Sequence, residues 1–559
     1  MKVVLSTLNA KYIHTSLALR WLYVVNKDRF NISFKEYTIK ENLEKVTDDL
    51  LNLESDVIGL SVSIWNVKQT KELVSSLKKR NPDLIIILGG PEVSYEPEFF
   101  LDSWQVDYVV SGEGEFVLGD LLVALETGES TDIAGVSSSQ YINKIIVQAD
   151  LDKLSSYPSP YMLEEDEESM IHKLVYFETS RGCPYQCQYC LSSLERGVRY
   201  FPENYILSNL EYLINSKAKQ IKFLDRTFNL NKKHTYNLFD YLIKHHRSNL
   251  SCQFEIYADL LKDEMIDYLN INLPENFFRF EIGIQSTYEP TNVAVKRKQD
   301  FSLLSGNIRK LMDGGKIDLH VDLIAGLPYE TLQRFAKSFN DVFELKAKEV
   351  QLGFLKMLRG TNLRRYADKY GYKYDTEAPY EIEYNDSISK EELERIHEAE
   401  HALEKYWNSG RFTNTMDVLT GTYYKDKYFE LFDEIGQFYK EHQLPHHGYQ
   451  LEDLFRNLHE FLVSRHIDLF PVLRKDYYTN FTRKPQGFWD NKLDKKNRNQ
   501  LLYQIGQDKP FLLKYGLTRK IIEKQTAIDP VAKDKYLLTI FQCDEKIKDL
   551  IEIEYHISG

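Results

Sequence analysis

Two successive series of strand-like runs alternating with helical stretches limit this chain to parallel-sheet architectures. From Met1 to about Ile146 the runs VVLSTL, ISFKEYTI, VIGLSVSI, LIIILGG and VDYVVSGEGE are separated by segments such as Val67 to Arg80, whose Val67, Leu73 and Leu77 keep helical spacing. Continuous apolar runs are the mark of parallel strands, because helices cover both faces of the sheet. The reading is a doubly wound, Rossmann-like α/β domain over residues 1–150. A second series, LVYFETS, IKFLDRTF, CQFEIYAD, FFRFEIGI, LHVDLIAG and VQLGFLKM, is joined by helix-like connectors. It fits a partial (β/α)6 barrel over residues 171–365. In both architectures ligands sit at the carboxyl ends of the strands.

Between them, residues 151–170 carry prolines, serines and the acidic run Glu164 to Glu168, the composition of an exposed linker. Residues 366–559 change to charged, aromatic-rich helical patterns, for example Leu451 to His466, and read as a mainly helical C-terminal region. A length of 559 residues accommodates these domains, and a net charge of −13 excludes a wholly basic nucleic-acid coat. No run reaches the ~18 apolar residues of a membrane span, and the first apolar stretch is too short for a secretion signal, so a cytoplasmic protein is expected.

Five cysteines are too few and of the wrong parity for a disulfide framework, yet Cys183, Cys187 and Cys190 fall within eight residues. They follow the strand LVYFETS, in a loop opened by Arg181-Gly182. Soft sulfur ligands select zinc, copper(I) or iron-sulfur clusters. A structural zinc site closes with four ligands, for which Cys252 or a barrel histidine is the remaining donor. A 4Fe-4S cluster on three cysteines instead keeps one iron open for a chelating ligand, which gives the incomplete set a purpose.

The Cx3CxφC pattern, with Tyr189 before the last cysteine, resembles the radical S-adenosylmethionine (SAM) superfamily. Supporting motifs follow in order: Phe223-Leu-Asp225-Arg-Thr-Phe-Asn229, Phe254-Glu255, Glu281-Ile-Gly-Ile-Gln285-Ser286 and Asp322-Leu-Ile-Ala-Gly326-Leu-Pro328. The resemblance implies that Cys183, Cys187 and Cys190 hold the cluster, whose free iron chelates SAM, and that one electron cleaves the sulfonium to a 5′-deoxyadenosyl radical inside a water-excluding barrel. It implies an electron donor such as flavodoxin or ferredoxin. By position, Gln285 and Ser286 reach the SAM ribose or carboxylate, and Tyr189 with the Ile324 to Gly326 backbone the adenine. Asp225 and Glu255 are further cofactor contacts, each with a plain alternative: Asp225 as a helix cap, Glu255 or Glu281 as the partner of a barrel cation.

An α/β domain before such a barrel is similar to the cobalamin-binding domain of cobalamin-dependent radical SAM enzymes, on Ser61, Ser63, Gly89, Gly90, Gly112, Glu113, Gly114 and Glu115. In that family the corrin lies between the two domains, so these residues are expected to pass its nucleotide tail. The chain lacks the Asp-x-His-x-x-Gly motif whose histidine often ligates cobalt, and His14 reads as a capping or packing residue. The expected function is a radical SAM enzyme, cobalamin-dependent, that modifies an unreactive carbon of a small molecule by methyl transfer, cyclisation or rearrangement. Two rivals stand beside it. One is an RNA-modifying radical SAM enzyme using the basic, aromatic stretch Arg474 to Arg498, whose other reading is a helical hairpin with aromatic core. The other is a non-catalytic zinc- or cobalamin-binding sensor. His442, His446 and His447, interrupted by Pro445, read as a loop of ordinary histidines.

Overall fold

The computed structural model describes residues 1–163, 169–195, 197–481, 493–532, 535–544 and 547–556. The chain forms two compact units, Met1–Leu393 and Glu394–Gly559. The acidic run 164–168 lies outside the described residues.

The first unit opens with a six-stranded sheet of β1 (Lys2–Asn9), β2 (Asn31–Thr38), β3 (Val57–Ser61), β4 (Ile85–Gly89), β5 (Tyr108–Val110) and β6 (Val136–Ser138), ordered β2-β1-β3-β4-β5-β6. All pairs are parallel except β5 with the edge strand β6, which the sequence pattern did not announce. Successive side chains point to opposite faces of a strand, and both faces are apolar. Val4, Ile58 and Leu88 join one buried cluster, while Val3, Leu5, Val57 and Ile87 join another. At the sheet's carboxyl end the Val62 N–H donates to the Gly89 carbonyl at 2.7 Å. Gly90 there has φ +107°, and a Cβ on it would stand 2.6 Å from the Val62 carbonyl oxygen, so only glycine fits.

Next come β7 (Val175–Phe177) and a short antiparallel pair, β8 (Ser180–Arg181) with β9 (Arg199–Tyr200), which brackets the cysteine loop. With β10 (Gln220–Phe223), β11 (Ser251–Glu255), β12 (Phe278–Gln285), β13 (Asp318–Ala325) and β14 (Glu349–Phe354), β7 builds a second sheet in the order β14-β13-β12-β11-β10-β7. Every pair in it is parallel and follows sequence order, the arrangement of a partial (β/α)6 barrel. Strict alternation decides which face lines the interior: in β12, Phe278, Phe280, Ile282 and Ile284 are buried, while Arg279, Glu281, Gly283 and Gln285 take the other face. Behind the sheet, Phe223, Phe254 and Phe239 pack with centroids 4.4 Å and 5.2 Å apart, joining the helix Lys232–Lys244 to the strands.

The chain beyond the last barrel strand remains with the first unit as far as Leu393, further than the expected boundary at 365. It adds the pair β15 (Lys373–Tyr374) and β16 (Ile382–Tyr384), and the Ile382 N–H donates to the Leu355 carbonyl at 3.1 Å.

In the second unit the helices Tyr428–Glu441, Leu451–Ser464, Phe470–Asn480 and Lys495–Gln507 bear out the helical expectation. They are followed by an antiparallel sheet, β17 (Thr526–Ala532), β18 (Lys535–Asp544) and β19 (Ile547–His556), which that expectation missed. In the basic stretch Tyr477 and Tyr478 are buried and Arg474 pairs with Glu552 at 2.9 Å. Arg483, Lys484, Phe488 and Trp489 lie outside the described residues. His446 sits in the expected loop, stacks on His401 at 4.2 Å and meets Glu398 at 3.1 Å. No described helix is long and apolar enough to cross a membrane.

Candidate functional site

Two of the cavities in the first unit are lined by expected site residues. The larger, about 560 Å³, stands at the carboxyl end of the α/β sheet and is lined by Ser61, Ser63, Gly89, Gly90, Gly112, Glu113 and Gly114. All the residues expected at a cobalamin tail therefore face one space. Apolar side chains, among them Leu17, Leu22, Trp65, Leu118 and Leu191, supply much of the remaining wall. An apolar chamber with glycine-bordered strand ends suits a large flat ring with a polar tail, because backbone stands open where a Cβ would intrude.

The second cavity, about 400 Å³, is lined by Cys183, Cys187 and Cys190 together with Tyr189, Glu255 and Gln285. Among the described residues no three His, Cys, Asp or Glu side chains converge on a single metal ion. A 4Fe-4S cube places each thiolate on a different iron, so a donor set of three thiols around one chamber fits that group. Burial pushes the Cys183 thiol up. Cys252 is buried within β11 and lines neither cavity, so the structure does not bring the suggested fourth donor to the others.

Gln285 ends β12 at a shift in strand register, with φ 69°, and its buried Oε1 has no hydrogen-bond partner. A strained residue offering an unsatisfied amide to a cavity is prepared for a polar ligand. Burial raises the Glu255 pKa against the lowering influence of Arg226 and Lys222. The plain alternative for Glu281 holds: its carboxylate receives Lys222 Nζ at 2.9 Å and the Gln253 amide.

Four expected cofactor contacts lie elsewhere. Asp225 is buried, and its carboxylate accepts the Thr179 N–H at 3.0 Å, the Thr179 hydroxyl at 2.6 Å and the Ser180 hydroxyl at 2.5 Å. Burial outweighs these bonds and moves its pKa up to about 6. It braces the strand end that launches the cysteine loop and caps no helix. Ser286 donates at 2.5 Å to Glu330, whose burial raises it to about 7. Gly326 accepts from the Tyr372 hydroxyl and the Asn385 amide, both at 2.9 Å, and neither it nor Ile324 lines the cavity. His14 shares a 2.7 Å hydrogen bond with Tyr176, as a packing residue does.

Sequence reasoning missed three arginines. Arg181 joins the α/β sheet to the cysteine loop: its guanidinium meets Glu178 and Glu115 at 2.7 Å and Glu113 at 3.0 Å, all nearly buried. Burial would raise the Glu113 pKa, but Arg181 and Arg199 outweigh it and hold the carboxyl below its usual range. Arg297 sends Nη1 to the Tyr257 hydroxyl at 2.9 Å and to Cys187 Sγ at 3.9 Å. Tyr185 of the loop stacks on Tyr257 at 4.1 Å. Arg226, directly after Asp225, lines both cavities. Most partners of these arginines, such as Glu113 and Glu115 for Arg181 and Tyr257 for Arg297, are distant in sequence, so only the Arg181-Gly182-Cys183 adjacency hinted at one of them.

Residues 3–122 match the B12 binding domain family and residues 177–342 the Radical SAM superfamily. Residues 368–548 match a family described as protein of unknown function (DUF4080). The cobalamin-dependent radical SAM methyltransferase TokK of Streptomyces tokunonensis is 24% identical over 52% of this chain and 45% of its own length. The anaerobic magnesium-protoporphyrin IX monomethyl ester cyclase of Rubrivivax gelatinosus is 21% identical over 53% of this chain and 55% of its own. The chain thus spans about half the length of these curated relatives. The cobalamin-dependent SAM radical enzyme OxsB, solved with aqua-cobalamin and S-adenosylmethionine bound, shares the fold with a TM-score of 0.60 at 16% identity, over 85% of this chain and 83% of that one.

Proposed function

We propose that this chain, whose residues 3–122 match the B12 binding domain family and 177–342 the Radical SAM superfamily, is a cobalamin-dependent radical SAM enzyme that reductively cleaves SAM and modifies an unreactive carbon of a small molecule by methyl transfer, cyclisation or rearrangement. The observation that carries this reading is the pair of chambers in one unit, one at the glycine-bordered sheet end and one holding the three thiols, with Ser192 and Arg226 lining both. Residues 1–150 are assigned to cobalamin, 171–365 to the cluster and SAM, and 366–559 remain without a chemical role.

When bound, the cluster supplies the electron for sulfonium cleavage and cobalamin a methyl-carrying metal centre. Cys183, Cys187 and Cys190 would hold the cluster, and Arg297 and the Tyr185–Tyr257 stack keep their loop in place. Gln285 offers its free amide oxygen to a hydroxyl or ammonium of SAM, with Tyr189 and Glu255 beside it. The phenylalanine layer behind the strands seals that side of the chamber from water, as radical chemistry requires. Ser61, Ser63 and the glycines at 89, 90, 112 and 114 would hold the corrinoid tail, with Glu113 kept charged by Arg181 and Arg199. A one-electron donor of the flavodoxin or ferredoxin kind and a cytoplasmic setting complete the reading.

Anaerobic protein reconstituted with iron and sulfide is expected to form 5′-deoxyadenosine from SAM and to retain stoichiometric corrinoid. Cys183→Ala, Cys187→Ala and Cys190→Ala should each abolish the cluster chromophore and cleavage. Cleavage retained in all three variants contradicts the mechanism.

A further inference from the structure

The charged groups around the two chambers are almost all matched by the protein itself. On the larger chamber, Arg181 is spent on three glutamates and Glu92 on Arg359. On the smaller, Lys222 is held by Glu281 at 2.9 Å and Asp322 meets His320 at 3.0 Å. Arg297 is consumed by Tyr257, Gln299 and the Gly283 carbonyl.

Arg226 is the exception. It is the charged residue that lines both chambers, where their walls meet beside Ser192. Its nearest carboxylate, Glu255, stands 3.8 Å from Nη1, and among the described residues its guanidinium makes no hydrogen bond. Although it stands inside the molecule, 53% of its side-chain surface is open. Burial lowers its pKa, yet Glu255, the Cys190 thiol, Glu195 and the Cys183 thiol more than compensate, and the guanidinium is cationic. A guanidinium carries five donors in a fixed fork that matches a carboxylate or phosphate. Here only one edge faces a protein carboxylate, and at long range.

We propose that Arg226 is an anion-binding residue of the substrate site and that the substrate carries a carboxylate or phosphate group, which the guanidinium grips where the two chambers meet. The inference rests on the proposed radical function, since a carbon that exchanges with both cofactors must lie between them. Ser192 supplies a hydroxyl on the same wall. The neighbouring Glu255 and Glu195 disfavour a second anion away from Arg226, so the negative group is confined to the guanidinium's open edge.

SAM itself carries a carboxylate, and the test separates the two sources. Holoprotein reconstituted anaerobically with iron, sulfide and hydroxocobalamin, and saturated with SAM, is dialysed to equilibrium against labelled inorganic phosphate, with succinate as competitor. SAM affinity and iron content are measured in parallel. Wild type is expected to bind phosphate competitively with succinate. Arg226→Gln should weaken that binding by about tenfold or more, the scale of one lost charge-assisted hydrogen bond, with SAM affinity unchanged within about twofold. Arg226→Lys, which keeps the charge and guards against a folding artefact, should retain part of the affinity. Absence of phosphate binding in wild type, or equal binding in Arg226→Gln, overturns the proposal. A tenfold loss of SAM affinity in Arg226→Gln also overturns it, because the anion is then the SAM carboxylate. Failure to hold iron or SAM would instead strike the radical reading, and the phosphate arm would still report on Arg226.

Discussion

Replacing Arg181 by methionine removes the cation that holds Glu113, Glu115 and Glu178 together between the α/β sheet and the cysteine loop. Arg181 and the three glutamates have side chains only 8–12% exposed, so solvent does little to screen the uncompensated charges left behind. Removing one partner of a buried ionic network costs about 3–5 kcal/mol. At about 1.4 kcal/mol per factor of ten, local opening of the β8–β9 pair should become roughly a hundredfold or more frequent. Native-state hydrogen exchange read by mass spectrometry reports this directly. The amide of Phe201, which donates to the Thr179 carbonyl at 3.0 Å, lies in the affected peptide, while peptides of the second unit serve as the internal control. The sign of the pH dependence is fixed as well. In the native protein Glu113 is held below its usual range, so its contribution is present above the ordinary carboxylate pKa and fades as pH falls. In the variant Arg181 no longer opposes the burial of Glu113, so the site loses the part of that contribution that is present above the ordinary carboxylate pKa. The difference between the two proteins, corrected for intrinsic exchange, should therefore be wider at pH 8 than at pH 5. A difference below tenfold at pH 8, or one equal at both pH values, refutes the reasoning.

Phe254→Ala should destabilise the barrel by about 3–5 kcal/mol, because Phe254 is fully buried among Phe223, Phe228, Phe239 and Phe278. Denaturant unfolding followed on barrel peptides checks this, and a loss under about 1 kcal/mol speaks against a close-packed aromatic layer. Gly90→Ala should lower corrinoid retention after gel filtration by about tenfold, since its left-handed backbone and the 2.6 Å approach of a Cβ to the Val62 carbonyl force the sheet end apart; undiminished retention removes that sheet end from the binding site. Glu330, with its pKa raised to about 7 by burial, adds stability that is full below the ordinary carboxylate range and is lost as pH rises through 7. Glu330→Gln should accordingly flatten the fall in melting temperature between pH 6 and pH 8, and an unchanged slope assigns that fall to other groups.

The strands were legible wherever burial on both faces left a continuous apolar run, as in Val57–Ser61 and Ile85–Gly89. The final sheet was missed although Ile551-Glu-Ile-Glu-Tyr555 alternates with period two, because the charged helices before it set the expectation for the whole region. The site was legible where backbone position alone decides, at the cysteine loop and the glycines of the sheet end. It was not legible where side-chain direction decides. Asp225 and Glu255 both stand at barrel strand ends, yet Asp225 turns to Thr179 and Ser180, 46 and 45 residues earlier, and Glu255 turns to the chamber. Ser286 adjoins the cavity-lining Gln285 but is locked onto Glu330, 44 residues later. Arg226 went unnoticed beside Asp225 for the same reason, since an arginine's openness appears only once its neighbours are in place.

The account turns on a cluster whose fourth iron is free to take SAM. Electron paramagnetic resonance of the anaerobically reconstituted, dithionite-reduced protein, with and without SAM, tests this most directly. A reduced 4Fe-4S signal that shifts on SAM addition and disappears in Cys187→Ala is the predicted result. Protein that binds zinc in place of iron, or a cluster signal that SAM leaves unchanged, contradicts it.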